Sequence, residues 1–515
     1  MRCNLCKSLS FRFAIIILIA ITSPLLAYLY LARNTISDKP KPSISPAQKQ
    51  LNKAIPPKNG DLIFTDDLEF LDNFFFGTAS SDFQTTGGNG LTDWEPYIQE
   101  CVKSQRCPPD SEIKYIGPEV GTDYLNRYRE DFDLANQIGP LIHRLSLEWA
   151  RIEPEEGKFD KDAIKKYKEI FRYMKIKGIE PMICLNHFAL PIWISNMGGL
   201  ESPQFSHYYA RYAEVVAKEV GLPLKIRWWL TFNEPQITLQ GYVRGNEEGS
   251  WPPHKGIKSL DDEEGYKRLL LSSSHLIDAH RLSYRAIHKI LGNNNVMVGF
   301  ASAPGSFYPF DQNSTLDKFA YNIHNTINSL SLDYLIGTTD RDFIGLNYYG
   351  RIKLKFHISM GSQILSWLTE NQPFAIEWEM PDKRIQGNRS KEFYPQGLYD
   401  MIIKFKDLDL PIVITENGLD DADDKFREEF IILHLKAVFD AIKDGANVIG
   451  YQYWSLTDTW EWDGMFSNMG LIAIDRENNL TRSLRPSALT YGEIIRTHRI
   501  SKELLEKHKE LLLKK

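Results

Sequence analysis

Eight short apolar runs recur along this chain, and each ends in polar residues. They are "FFFGTASS" (74–81), "LIHRLSLEW" (141–149), "IEPMICLNHF" (179–188), "IRWWLTFNEP" (226–235), "NVMVGFASA" (295–303), "DFIGLNYY" (342–349), "PIVITENG" (411–418) and "VIGYQYWSL" (448–456). The runs are continuous rather than alternating, the pattern of strands covered on both faces. Amphipathic stretches with helical spacing separate them, such as 162–178, 206–221 and 425–445. Eight strand–helix alternations predict an α/β fold, a (β/α)8 TIM barrel over residues 66–500. The rival is a doubly wound open sheet, which usually carries a glycine-rich phosphate turn after an early strand. No run here is followed by G-x-G-x-x-G or a P-loop.

A barrel of this kind builds its active site from the C-terminal ends of its strands. Polar side chains cluster there: Arg144 and Glu148 on the second run, Asn186 and His187 on the third, and Asn233 and Glu234 on the fourth. Asn347 and Tyr349 end the sixth, Glu416 the seventh and Trp454 the eighth. Strand ends are where water begins, which accounts for one or two such residues but not for a set on six of eight strands.

Two of these residues are costly to place. Ionised carboxylates are expensive to bury without a partner, yet Glu234 and Glu416 each end an apolar run. The bland reading is a pair of structural salt bridges. The chemical reading starts from strands four and seven on opposite sides of the ring, with the carboxylates facing across the mouth. A facing pair cleaves a glycosidic bond through an oxocarbenium-like transition state, and in retaining enzymes the two groups lie about 5 Å apart. One must be ionised to attack, and Arg144 could keep its partner so. The other, with a raised pKa, would carry the proton. The residues alone do not say which is which.

"TFNEP" and "ITENG", in that order on the fourth and seventh runs, resemble the two catalytic motifs of glycoside hydrolase family 1, the β-glucosidase and β-galactosidase group. "HRLSLEWARIEPEEGKFD", "NHFALPIW", "DFIGLNYYG", "YPQGLYD" and "YWSLTDTWEW" extend the likeness across most of residues 70–495. The resemblance implies a (β/α)8 barrel and a retaining β-glycosidase with no metal or organic cofactor. It implies that Glu234 is the acid/base and Glu416 the nucleophile. Asn233 would hold the sugar 2-hydroxyl, with Arg144 and Tyr349 beside the nucleophile. Gln84, His187, Glu461 and Trp462 would bond the glycone hydroxyls, Asn347 would join them, and Trp454 would lie under the ring. Glu461 stands where members acting on 6-phosphorylated sugars have serine, and a glutamate would repel that phosphate. The implied substrate is a non-phosphorylated β-glucoside or β-galactoside.

The chain departs from the family pattern at three places. Gln236 follows "FNEP" where a tryptophan wall of the leaving-group site is usual. "WDGMFSNMG" is a residue short, with Met469 where an aromatic is common, and Thr86 replaces a glutamate in "SSDFQTTGG". The first two changes lie where the aglycone would sit and put its class in question rather than the cleavage. The alternative functions are a transglycosidase passing the glycosyl group to a lipid or sugar, and a catalytically silent, membrane-tethered sugar-binding protein.

The N-terminus has its own character. Residues 1–12 are basic, and residues 13–32 form twenty uncharged, mostly apolar positions, enough to span a bilayer. The flanking Arg2, Lys7 and Arg12 would keep the start cytoplasmic and export the rest. A cleaved signal peptide is the rival. The length of the run and the lack of a small-x-small site favour an uncleaved, single-pass anchor with an extracytoplasmic or lumenal barrel. Residues 33–65, rich in Pro, Lys and Ser, read as a tether, and 501–515 as an amphipathic helical tail. Cys101 and Cys107 form either a local disulfide or two free thiols. A net charge of −6 provides no basic field for nucleic acid. Oligomeric state is not legible.

Overall fold

The computed structural model describes residues 67–105, 114–241, 251–252, 262–322, 340–356 and 393–508. The basic segment 1–12, the expected anchor at 13–32, the tether at 33–65 and Cys107 lie outside the described residues. Among the described residues, no helix is long and apolar enough to cross a membrane.

Eight parallel strands close into a barrel in chain order. They are β1 (Phe75–Ser80), β2 (Ile142–Ser146), β3 (Glu180–Cys184), β4 (Trp228–Asn233), β5 (Met297–Ser302), β6 (Ile344–Tyr348), β7 (Ile412–Asn417) and β8 (Val448–Trp454). Each expected run yields one strand. The ring shuts where β8 pairs with β1, Tyr451 opposite Phe76 and Trp454 opposite Ala79.

Seven main helices lie between or after the strands: α1 (Tyr124–Ile138), α2 (Lys161–Ile176), α3 (Phe205–Val216), α4 (Glu263–Leu291), α5 (Pro395–Phe405), α6 (Arg427–Lys443) and α7 (Pro486–Thr497). Local chemistry sets their ends. The Asp160 carboxylate accepts from the amides of Asp162 and Ala163 to start α2, and Asp262 accepts from Gly265 to start α4. The stretch expected as one helix over 206–221 instead ends α3 at Val216 and continues as a π-helical turn over Ala217–Gly221. A Cβ on Gly221 would stand 2.5 Å from the Trp229 ring, so this turn packs directly on β4.

Period-two alternation divides the apolar residues into two cores. Phe76, Leu145, Ile183, Trp229, Val298, Leu346 and Ile414 face outward and pack with Phe132, Phe171, Tyr212 and Leu435 from the helices. Ile142, Met182, Trp228, Leu230, Met297, Phe343, Val413 and Ile449 face inward and form a second cluster inside the ring. These inner residues come mainly from the N-terminal halves of the strands. The interior is therefore packed below, and the polar strand ends stand above it.

The tail is short. Ser501 caps a helix over Lys502–Lys507, Leu504 and Leu505 pack on the outer core, and Lys507 reaches Glu428 at 2.5 Å. Cys101 is disulfide-bonded.

Gly77 lies where β1 and β2 crowd together: an added Cβ would sit 2.1 Å from the Ile142 carbonyl oxygen. Gly77→Ala should lower Tm by about 2 °C or more, as overpacking a closed barrel does. A thermal melt by circular dichroism checks this, and an unchanged Tm would show that the ring has slack there.

Candidate active site

The site is built around a buried cation. Arg144 points into the ring from β2 and is fully buried. Its Nη2 donates to Glu416 Oε1 at 2.5 Å, and its Nη1 donates to Asn233 Oδ1 at 2.7 Å. The Tyr349 hydroxyl, just beyond β6, donates to the other Glu416 oxygen at 2.5 Å. Both carboxylate oxygens are thus held, one by a cation and one by a phenol. Burial, and then the Glu416 charge, push the Tyr349 hydroxyl well above its ordinary range, so it stays a donor. Burial works against the Arg144 charge, but the Glu416 charge and hydrogen bond together with Cys184 and Tyr349 outweigh it, and the guanidinium pKa is raised.

The second carboxylate belongs to the same network. Asn347 on β6 donates through Nδ2 to Glu234 Oε1 at 2.6 Å and to Asn233 Oδ1 at 3.2 Å. The Thr415 hydroxyl fixes the Asn347 amide by donating to its Oδ1 at 2.6 Å. Asn233 Oδ1 therefore joins the two halves, taking one hydrogen bond from the Glu416 side and one from the Glu234 side. β4 and β7 are separated by β5 and β6, three steps around the ring. They are not diametrically opposed, and Asn347 on the intervening β6 is the link that opposite strands would have lacked.

Glu234 ends β4 in the left-handed region, φ 45° and ψ 58°, before the short helix Pro235–Gln240. A non-glycine residue pays for that conformation. The following proline contributes, because it disfavours a right-handed helical conformation for the residue before it.

A half-ring of polar groups surrounds these two. With both Asn233 Oδ1 bonds taken, its Nδ2 faces His187 Nε2 at 3.3 Å. His187 Nε2 is then the acceptor and Nδ1 carries the proton. Nδ1 is buried without a hydrogen-bond partner among the described residues, as are Gln84 Oε1 and Trp462 Nε1. Two donors and an acceptor, all unmet, suit the mixed demands of sugar hydroxyls. The His187 ring stacks between Trp454 (5.6 Å, 23°) and Trp462 (6.0 Å, 15°). Glu461 Oε1 accepts from Trp454 Nε1 at 3.4 Å. Met469, one of the departures, packs with Trp454 and Ala79.

Local structure aims each of these groups. Gln84 sits on a short helix, Asp82–Thr86, capped by Ser81 and stopped by Gly87 at φ 80°. Its Nε2 is tied to the Trp460 carbonyl at 2.7 Å. Thr86 donates to Asp82 at 3.1 Å, and Asp82 lies 3.7 Å from Arg151. Glu461 and Trp462 come from the hairpin of Thr459–Glu461 with Met465–Ser467.

The structure thus brings Arg144, Asn233, Glu234, Asn347, Tyr349 and Glu416 into one hydrogen-bonded network, with His187, Trp454, Glu461, Trp462 and Gln84 around it. Glu148 stands apart. Its carboxyl is pushed well above the ordinary range by burial and by the charge of Asp82, and no hydrogen bond joins it to the Glu234–Glu416 network. Sequence reasoning passed over Thr415, Asp82 and Ser302. Thr415 had a visible signal, a hydroxyl directly before the glutamate of β7.

Chemically, the arrangement offers one carboxylate held by a cation and a phenol, a second that accepts from the Asn347 amide, and a polar, aromatic ring-sized surround. Among the described residues no cluster of His, Cys, Asp and Glu could hold a metal ion.

The model of glycosyl hydrolase family 1 matches residues 67–331 and 322–500. The chain is 29% identical over 387 residues to the beta-glucosidase-like protein SFR2 of Oryza sativa subsp. japonica, a match covering 72% of this chain and 56% of that one. It is 28% identical over 387 residues to the galactolipid galactosyltransferase SFR2 of Arabidopsis thaliana, covering 73% and 58%. The matches span little more than half the length of these two relatives. Among solved structures, a beta-glycosidase from Pyrococcus horikoshii aligns with a TM-score of 0.71 at 30% identity, over 86% of this chain and 98% of that one.

Burial, then the Arg144 charge, hold His187 well below the ordinary histidine range. Nitrogen-15 NMR of the imidazole should show a neutral ring, protonated at Nδ1, with no titration between pH 5 and 8. A midpoint near 6.5 would mean that the ring is in contact with water.

Proposed function

The chain belongs to glycosyl hydrolase family 1, and from that premise we propose that it is a retaining β-glycosidase acting on non-phosphorylated β-glucosides or β-galactosides. The observation that carries the reading is the pairing of Glu416 with Arg144 and Tyr349 in one hydrogen-bonded network with a second carboxylate, Glu234, which Asn347 and Asn233 link to it. Glu416 attacks the anomeric carbon while Glu234 gives its proton to the leaving oxygen. The covalent glycosyl ester then removes the Glu416 charge, and Glu234 deprotonates the incoming water. Asn233, held from both sides, is placed for the sugar 2-hydroxyl.

A second reading has a specific motive. The Arabidopsis relative is a galactolipid galactosyltransferase, and on this reading the glycosyl ester is delivered to a sugar or lipid hydroxyl instead of water. Single-pass anchoring through residues 13–32 would place such a barrel at a membrane surface, and the Cys101 disulfide suits an oxidising, exported compartment. Product analysis with and without acceptor separates transfer from hydrolysis.

The main reading is tested by incubating the chain with an activated 2-deoxy-2-fluoro β-glucoside and its galacto counterpart. One adduct per chain is expected on the wild type and none on Glu416→Gln by intact mass. Glu234→Gln should lower kcat on unactivated glycosides by about 10²–10⁴-fold, the usual contribution of acid–base catalysis. Absence of both adduct and aryl-glycoside turnover would point to the silent sugar-binding protein instead.

A further inference from the structure

We propose, resting on the glycosidase reading, that Gln236 makes the leaving-group side of the mouth a subsite for a second sugar or another polyol rather than for a flat aromatic aglycone. A general acid must touch the oxygen it protonates, so the leaving group lies against Glu234. Gln236 stands two residues further on, in the first turn of the Pro235–Gln240 helix. Its side chain leans from β4 towards β5, where Nε2 donates to the Ser302 hydroxyl at 3.0 Å. The other end of the amide, Oε1, is buried and has no hydrogen-bond partner among the described residues.

That orphaned end does not depend on how the amide is oriented. The Ser302 hydroxyl can accept from NH2 or donate to C=O, so either orientation satisfies one end and leaves the other unmet. A buried polar group in that state is costly. A ligand hydroxyl both donates and accepts, and so meets whichever end remains. An aryl ring meets neither.

The neighbouring surface is of the opposite character. Ile237, next in the chain, packs in a cluster with Phe188, Trp251 and Trp462. The Trp251 and Phe188 rings lie 5.7 Å apart. The two consecutive residues after Pro235 thus offer an amide and an apolar side chain set among flat rings, which suit the hydroxyl edge and the C–H face of a pyranose. The same subsite serves an acceptor. Its hydroxyl oxygen bonds to the anomeric carbon as the ester bond to Glu416 breaks. The hydroxyl proton passes to Glu234, and Glu416 leaves as a carboxylate.

The test compares wild type, Gln236→Leu and Gln236→Trp. For each, kcat/KM is measured on a β-linked disaccharide and on a nitrophenyl β-glycoside with the same glycone. The Ki of a glycone-mimicking iminosugar reports whether the rest of the site is intact. Both variants should lose at least about ten-fold more on the disaccharide than on the aryl glycoside. Equal losses on the two substrates, or none on the disaccharide, would overturn the subsite. So would a wild type that cleaves aryl glycosides but neither disaccharides nor alkyl polyol glycosides. A wild type inert to every β-glycoside would overturn the glycosidase reading, and this inference with it.

Discussion

Arg144 carries a full positive charge into a barrel interior that water does not reach. Such a charge is tolerated only with a counter-charge and filled hydrogen bonds. Glu416 supplies the first, and Asn233 takes a second bond. From this pairing the order of the site follows outward. Asn233, bound on one side by Arg144 and on the other by Asn347, turns its amide nitrogen to His187. His187 then has one tautomer and one free N–H to offer. Thr415 and Tyr349 complete the set. Removing one member of a buried ion pair typically costs about 3–5 kcal/mol, so the charge that prepares the chemistry also ties β2 to β7.

A buried ion pair is weak evidence for stability, since an apolar pair of the same volume is often as good. What argues for another use is the company it keeps. The inward residues below it are apolar and close-packed, so the fold already fills its interior without charges. Above them come a cation, two carboxylates, two asparagines and a phenol. The barrel accepts that cost only at its C-terminal rim, where side chains from different strands converge on one point.

The strand set was legible because it depends on a property that any single residue carries, apolar character over a continuous run. All eight runs became strands, and the paired glutamates stood out because a carboxylate at the end of such a run is anomalous. Features that depend on two distant residues were not legible. The three-step separation of β4 and β7, bridged by Asn347, required the ring itself. The Asp82–Arg151 contact joins residues 69 positions apart in the chain, and the Gln236–Ser302 contact spans 66. The π-helical turn after Val216 was not legible either, and the Trp229 ring that its Gly221 packs against lies on another element. Glu148 was grouped with the site by position alone, and burial beside Asp82 gives it a different environment.

The two sides of the mouth are built on different principles. Around the glycone, each polar group is fixed by a partner from another strand or hairpin, and the unmet atoms are single and directional: an N–H of His187, an N–H of Trp462, a carbonyl of Gln84. Geometry of that kind reads one ring closely, because a missing hydroxyl leaves a buried atom unpaired. On the side of Glu234 the Gln236 amide is anchored by a hydroxyl, which can accept from its NH2 or donate to its C=O. Such a group asks for a hydroxyl without specifying its direction. On the proposed reading, chemistry at the glycosyl ester would depend on what occupies that side. A bound polyol would present one hydroxyl at high local concentration and exclude bulk water, favouring transfer. A departed leaving group would admit water and give hydrolysis. On that reading the balance between the two would be set by residence on the aglycone side, not by the carboxylates, which would perform the same steps in both.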